Sequence, residues 1–324
     1  MDYSTEETQV ARSIELNDGS KMPVLGLGTW KPCHLPRTSV QGAVEAAIAA
    51  GYRHIDTAYC YGNEVEIGKA LHSMMRRGII RRQDMFIVSK LRRTDYELED
   101  VPLCLNKSLQ DLQLDYLDLY LLHSPVGIKK TGFPRKDDTN YIDYVAVWRG
   151  MEALLTSGKV KNIGVSNFNI MQLERLLALC KTPPAVNQVE LHPYLTQPEL
   201  IKFCKSRNIA LIAFSPFGSP ARPPQLFREG ADPNKLLQDP VIAEIAKKHK
   251  RSPAQVLLRY HVQQGIAVIP KSDKSHHILE NTKKSDQNLD LETNFGIFDF
   301  CLSQEDMRVL RGLERGWRAL HFDE

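Results

Sequence analysis

Three apolar runs in this chain end on side chains that can move protons. The first, Tyr52-Arg53-His54-Ile55, ends at Asp56, with Tyr61 five residues further on. The second, Met85-Phe86-Ile87-Val88-Ser89, ends at Lys90, and the third, Tyr116 to Leu122, ends at His123. A carboxylate, a phenol, an ammonium and an imidazole gathered in one place can tune one another for acid–base work. Taken singly, each has an ordinary explanation. A loop tyrosine decorates a surface, a histidine after an apolar strand is hydrogen-bonded in the core, and a Lys–Asp pair is structural. Their shared position, at the end of a strand-like run, is what points to an enzyme.

The elements that must carry these ends follow a rhythm. Short β-rich runs stand at 24–28, 53–56, 85–90, 116–123, 160–166, 185–191, 209–215 and 266–271. Stretches of helical period lie at 39–50, 64–77, 97–112, 143–157, 170–180, 197–207 and 253–264. Runs such as Ile209-Ala210-Leu211-Ile212-Ala213-Phe214 are apolar throughout, as in a parallel sheet covered on both faces. Gly51, Gly158 and Gly265 each stop a helical run before a strand. This alternation predicts an α/β fold, a (β/α)8 TIM barrel, with residues 1–324 forming one domain. Asp18-Gly19 predicts an N-terminal β-hairpin ahead of it. The strand ends read Gly28-Thr29-Trp30, Asp56, Lys90, His123, Ser166-Asn167, Gln188 to Glu190, Phe214-Ser215 and Lys271-Ser272. Polar, aromatic or charged groups thus recur at one end of every strand, the face where barrel enzymes place their chemistry. Long loops from Pro125 to Tyr141 and from Phe217 to Gln238 belong to that face as pocket walls or lids.

Bulk composition narrows the class. Of 324 residues, 42% are hydrophobic and 25% charged, which allows a sizeable core. Net charge is +3, too mild to point to nucleic acid or to a membrane surface. The stretch Lys129, Lys130, Arg135, Lys136 reads as a solvated loop. The cysteines at 33, 60, 104, 180, 204 and 301 are scattered, with no C-x-x-C pair. They suit free thiols in a reducing compartment rather than disulfides or a zinc site. With no apolar leader and no run near ~18 apolar residues, a cytoplasmic chain is expected.

Several motifs fail. Gly26-Leu27-Gly28 opens like a dinucleotide fingerprint, but Lys31 holds the third glycine's place. No Walker A sequence is present, and no tyrosine has a lysine four residues later. His276-His277 lacks further ligands at metal-binding spacing, so no metal is expected.

What holds is a chain-long set of segments: Gly26 to Trp30, Gly51 to Ala58 with Tyr61 and Asn63-Glu64, Ile87 to Leu91, and Asp118 to His123. To these are added Ile163 to Phe168, Asn187 to Glu190 with His192-Pro193-Tyr194, and Ile269-Pro270-Lys271-Ser272. In this order they resemble the aldo-keto reductases, and most nearly the aldose/aldehyde reductase branch. The resemblance implies an NADPH-dependent oxidoreductase that turns aldehydes and ketones into alcohols, a small-molecule carbonyl substrate, and a monomer. Tyr61 would donate the proton, Lys90 would lower its pKa, Asp56 would hold Lys90, and His123 would orient the carbonyl. Ser166, Asn167 and Gln188 would hydrogen-bond the nicotinamide carboxamide of NADPH, Phe214 would stack on the nicotinamide, and Thr29 and Trp30 would also contact the cofactor. Ser215, Phe217 and Ser219 would grip the pyrophosphate. Lys271, Ser272 and Lys274 would take the 2′-phosphate, and Glu280 and Asn281 the adenine.

The chain also departs from that family. His277 stands where an arginine is usual, and a neutral imidazole cannot fork onto a phosphate, so use of NADH alongside NADPH is expected. The polar stretch Thr282 to Thr293 is an insertion. Among the pocket tryptophans only Trp30 survives, with Tyr59, Arg92, Ser124, Phe133 and Pro224 as the other substrate-side residues. The tail after Trp317 is short. A wide, polar pocket follows, open to a bulky or hydroxylated carbonyl such as a steroid and equally to simple aldehydes. A cofactor-binding structural or regulatory protein on the same fold is the other reading, and an intact Asp56, Tyr61, Lys90 and His123 set argues against it.

Overall fold

A computed structural model of the protein describes residues 11–30, 38–127, 142–220, 222, 235–271 and 296–320. The chain enters through an antiparallel hairpin of β1 (Ser13–Glu15) and β2 (Lys21–Pro23). Its turn closes at Gly19, whose φ of 85° is the left-handed conformation expected of glycine there. Asp18 braces the turn by accepting the backbone N–H of Ser20 at 2.9 Å.

Eight parallel strands follow: β3 (Leu27–Gly28), β4 (His54–Asp56), β5 (Phe86–Leu91), β6 (Leu117–Leu122), β7 (Val160–Ser166), β8 (Val186–Glu190), β9 (Ala210–Phe214) and β10 (Ala267–Val268). Each pairs with the next in sequence order, and a parallel bridge from Leu25 to Val268 joins the last to the first. Three backbone bonds continue that seam: Val268 N–H to Val24 O at 2.7 Å, Gly26 N–H to Val268 O at 2.9 Å and Gly28 N–H to Pro270 O at 3.0 Å. The sheet is therefore a closed barrel, as the alternation predicts.

Helices α1 (Thr38–Ala49), α2 (Glu64–Arg76), α3 (Asp100–Leu112), α4 (Tyr144–Leu154), α5 (Ile170–Leu179) and α6 (Pro198–Ser206) link successive strands. Two more, α7 (Pro240–His249) and α8 (Pro253–Val262), lie between β9 and β10, and α9 (Gln304–Arg311) follows β10. The helical stretches expected from periodicity do not include α7 and α9, although both carry start signals. Asp239 caps α7 ahead of Pro240, and Ser303 with Asp306 forms a capping box at α9. None of these helices is long and apolar enough to cross a membrane.

Two layers of core hold the barrel. Inside it, Phe86, Val88, Leu119, Leu121, Val186, Ile212 and Ala267 pack with Leu16 and Met22 of the hairpin, which fills the end away from the strand C-termini. Outside, the strands and α1 to α6 share one large cluster, and α7, α8 and α9 form another around Leu236 and Tyr194. The Gly-x-Gly pair works at the seam. A Cβ on Gly28 would meet the Ile269 carbonyl oxygen at 2.6 Å, and one on Gly26 would meet the His54 ring at 2.8 Å. These glycines serve barrel closure, which explains two of them without a dinucleotide fingerprint. Gly28→Ala should cost about 1–3 kcal/mol, as overpacking does, seen as a lower urea midpoint. An unchanged midpoint would show that the seam yields freely.

Candidate active site

The strand ends bring the four proton-moving groups together. Asp56 closes β4 opposite Val88 of β5, and Lys90 lies two residues beyond it on the same strand. Lys90 Nζ donates to Asp56 Oδ1 at 2.5 Å, to Thr57 O at 2.9 Å and to Tyr61 Oη at 3.4 Å. An ammonium has three hydrogens, and each has a protein oxygen. The second Asp56 oxygen accepts from Gln188 Nε2 at 2.7 Å. The pair is sealed from water, with side-chain exposures of 0% for Lys90 and 2% for Asp56.

Tyr61 reaches this point because the chain after β4 folds into a single 3-10 turn, Tyr59–Tyr61, ended by Gly62. Asn63 fastens the turn, donating from Nδ2 to Thr29 O at 2.8 Å while its Oδ1 accepts the Thr57 hydroxyl at 3.1 Å. The phenol oxygen accepts from Lys90, so the phenol's own hydrogen remains for an incoming oxygen. Burial first, and then the Asp56 carboxylate, push the Tyr61 phenol well above its usual 10. This reverses the expectation that Lys90 lowers it. The lysine's charge is answered at 2.5 Å by Asp56, leaving desolvation to decide.

His123 directly follows β6, with its ring edge-on to Tyr61, the centroids 5.9 Å apart. Burial, with the positive charges of Lys90 and Arg93, lowers its pKa to about 3, so the imidazole is neutral. Its Nδ1 lies 3.5 Å from Cys60 Sγ. A thiol donating there leaves the ring hydrogen on Nε2. Burial raises the Cys60 pKa and keeps it a thiol. Sequence reasoning missed Cys60, whose only signal was its place beside Tyr61.

The neighbouring strand ends form a ledge of polar atoms. Asn167, at φ 65°, donates from Nδ2 to His123 O at 3.0 Å and to Ser166 Oγ at 3.1 Å. Ser166 Oγ in turn donates to Gln188 O at 2.9 Å. With those N–H groups engaged, Asn167 Oδ1 and Gln188 Oε1 accept no hydrogen bond among the described residues, and two such acceptors match the N–H bonds of a carboxamide. Half-buried Phe214 ends β9 next to Ser215 and Ser219, whose hydroxyls are 2.6 Å apart, with half-buried Phe217 between them. Lys271 follows Pro270 beside Gly28.

Thr29 is buried, both its N–H and its hydroxyl engaged by Asp56 O, and it carries half-buried Trp30. On the substrate side, the Arg92 guanidinium lies 4.8 Å from the Tyr59 ring centroid and forks onto Asp95. Ser124 is buried and its hydroxyl accepts from Val126 N–H at 3.2 Å. Glu190, ending β8, holds the tail through the N–H groups of Ala319 at 2.6 Å and Leu320 at 3.0 Å. Ser272, Lys274, His277, Glu280, Asn281, Phe133 and Pro224 lie outside the described residues.

A closed parallel barrel with acid–base groups at its strand ends is the architecture of an enzyme. The family model for the aldo/keto reductase family matches residues 24–313. Human aldo-keto reductase family 1 member C4 is 43% identical over 320 residues, 96% of this chain and 94% of that protein. Prostaglandin F synthase 1 of Bos taurus is 41% identical, over 97% of this chain and 95% of its own. Aldo-keto reductase family 1 member A1 of Cricetulus griseus is 42% identical, over 96% and 92%. The chain belongs to the aldo/keto reductase family, whose members are NADP-dependent oxidoreductases acting on carbonyl groups.

Removing one partner of a buried ion pair costs about 3–5 kcal/mol, because the other is left charged and unpaired. Lys90→Met should therefore lose both stability and turnover. Adding Asp56→Asn should restore much of the thermal midpoint and none of the activity. Recovery of both, measured by melting and by NADPH oxidation, would contradict a chemical role for Lys90.

Proposed function

We propose that the chain reduces aldehydes and ketones with NADPH, and that Tyr61 supplies the proton. The observation that carries this reading is the Lys90 to Tyr61 contact at 3.4 Å. It occupies the phenol oxygen as an acceptor and leaves its hydrogen to be given away. When bound, the reduced nicotinamide supplies the hydride. The chain's residues do the rest. Asn167 and Gln188 hold the carboxamide through their open oxygens, and Phe214 covers the ring face. Ser215, Phe217 and Ser219 meet the pyrophosphate, and Lys271 meets the 2′-phosphate.

A carbonyl oxygen seated between Tyr61 and His123 receives two hydrogen bonds, one from the phenol and one from Nε2. Both strengthen as negative charge grows on that oxygen, which is how they favour the transition state over bound substrate. The phenol gives up its hydrogen to this oxygen in the same step, as the charge grows, with Lys90 beside the phenolate that forms. Asp56 holds Lys90 in place throughout. The lost tryptophans support a pocket wide enough for a bulky or hydroxylated carbonyl, steroids included.

Both hydrogen donors must be uncharged. Tyr61 is neutral below its raised pKa, and His123 is neutral above about 3. The chemical step of reduction should thus be flat between about pH 5 and pH 9, measured by stopped-flow. A limb near neutrality would contradict a neutral Tyr61 and a neutral His123. NADPH oxidation with a panel of reactive aldehydes tests the reading itself. Tyr61→Phe should retain NADPH binding and lose turnover by two or more orders of magnitude, on the scale of lost acid catalysis, ~100-fold to 10,000-fold. Wild type that binds NADPH and turns over no carbonyl would overturn it.

A further inference from the structure

The segment that follows β9 is held in a costly conformation. The backbone takes positive φ at Ser215 (50°), Gly218 (65°) and Ser219 (50°). Only the glycine does so freely. Two serines stay in the left-handed region only where their surroundings over-determine it. Inside the segment the ties are the Ser215–Ser219 hydroxyl pair at 2.6 Å and Gly218 N–H to Ser215 O at 2.7 Å. Arg222 adds to them. Its backbone N–H donates to Ser219 O at 3.1 Å, and its Nη1 reaches the Gly218 and Ser219 carbonyl oxygens, each at 3.4 Å.

The outer tie comes from the far end of the chain. The Arg222 guanidinium carbon lies 5.0 Å from the centroid of the Trp317 ring, a cation over an aromatic face. Arg222 is 5% exposed and Trp317 is half-buried, so the contact is largely shielded from water. Trp317 is itself pinned. Its backbone N–H donates to Tyr194 O at 3.1 Å, and its ring lies 5.4 Å from that of His192 and meets Tyr194 edge-on at 6.3 Å. Just beyond it, the Glu190 carboxylate accepts the Ala319 and Leu320 N–H groups together with His192 Nε2. Glu190 stands two residues after Gln188 on β8. Phe217 and Trp317 pack on the same apolar cluster, around Tyr194 and Leu236.

Resting on the proposed NADPH site, in which Ser215, Phe217 and Ser219 meet the pyrophosphate, we propose that Trp317 is a positioning residue for the cofactor. Acting through Arg222, it holds the 215–222 segment in the strained form that receives the pyrophosphate. Docking of the tail and binding of NADPH then favour each other, and the coupling is reciprocal.

The test measures NADPH affinity of the full chain by titration calorimetry and NADPH release by stopped-flow. Trp317→Ala should weaken NADPH by about 3- to 30-fold, the range of a shielded cation–π contact, through faster release. Trp317→Phe keeps an aromatic face and should lose less. Arg222→Met should weaken NADPH at least as much as Trp317→Ala, and combining the two should cost little more than Arg222→Met alone, because one contact is removed by either change. A purely structural tail would lower the melting midpoint of Trp317→Ala and leave its NADPH affinity at the wild-type value, and that result would overturn the proposal. Losses that add in the double variant would do the same. In wild type, NADPH should slow hydrogen exchange at the Ala319 and Leu320 N–H groups, and exchange there unchanged by NADPH would also overturn it. Wild type that binds no NADPH would overturn the reductase reading itself, and this inference with it.

Discussion

A lysine ammonium with no exposure to water is tolerable in a protein only if every hydrogen finds an oxygen and one of those oxygens is charged. Lys90 meets that condition through Asp56, Thr57 and Tyr61. The constraint spreads from there. Asp56 must also satisfy its second oxygen, and it does so on Gln188, which stands four strands further round the ring. One bond therefore spans the barrel mouth from β4 to β8. The floor of the site is a fixed polar network, and any ligand must take its place on top of it.

Burial settles the protonation states that the network leaves open. It raises Tyr61 and lowers His123, so both groups are neutral and each holds a hydrogen to donate. Lys90 does not make the phenol a stronger acid in isolation, because Asp56 screens it. In the proposed reaction its contribution is positional: it occupies the phenol oxygen as an acceptor, so the phenol's own hydrogen is left to donate elsewhere, and it lies beside the phenolate that would form. The same reasoning joins Cys60 to the site, since a thiol on Nδ1 leaves Nε2 as the hydrogen-bearing nitrogen.

Much of this was legible in the sequence because a barrel repeats. Strand-like runs alternating with helical ones set the order of the ring, and the strand ends named Asp56, Lys90 and His123 before any contact was known. Asp18-Gly19 announced the hairpin through turn chemistry alone. The helices at 240–249 and 304–311 fell outside the rhythm, and their capping residues were the signal passed over. Contacts across the mouth could not be read. Gln188 on Asp56, Cys60 on His123 and Arg93 on Val126 join distant strands and loops, and no local period records them. The direction of the Tyr61 shift depends on desolvation, which exists only once the loop has folded over it.

In the proposed reaction, proton delivery from Tyr61 belongs to the chemical step. Single-turnover reduction of a reactive aldehyde, followed by NADPH absorbance in H2O and in D2O, addresses it most directly. The wild-type step should slow in D2O, and the residual reaction of Tyr61→Phe should have lost this sensitivity. Equal wild-type rates in the two solvents would contradict proton delivery in that step, since hydride transfer would then proceed with no proton in flight.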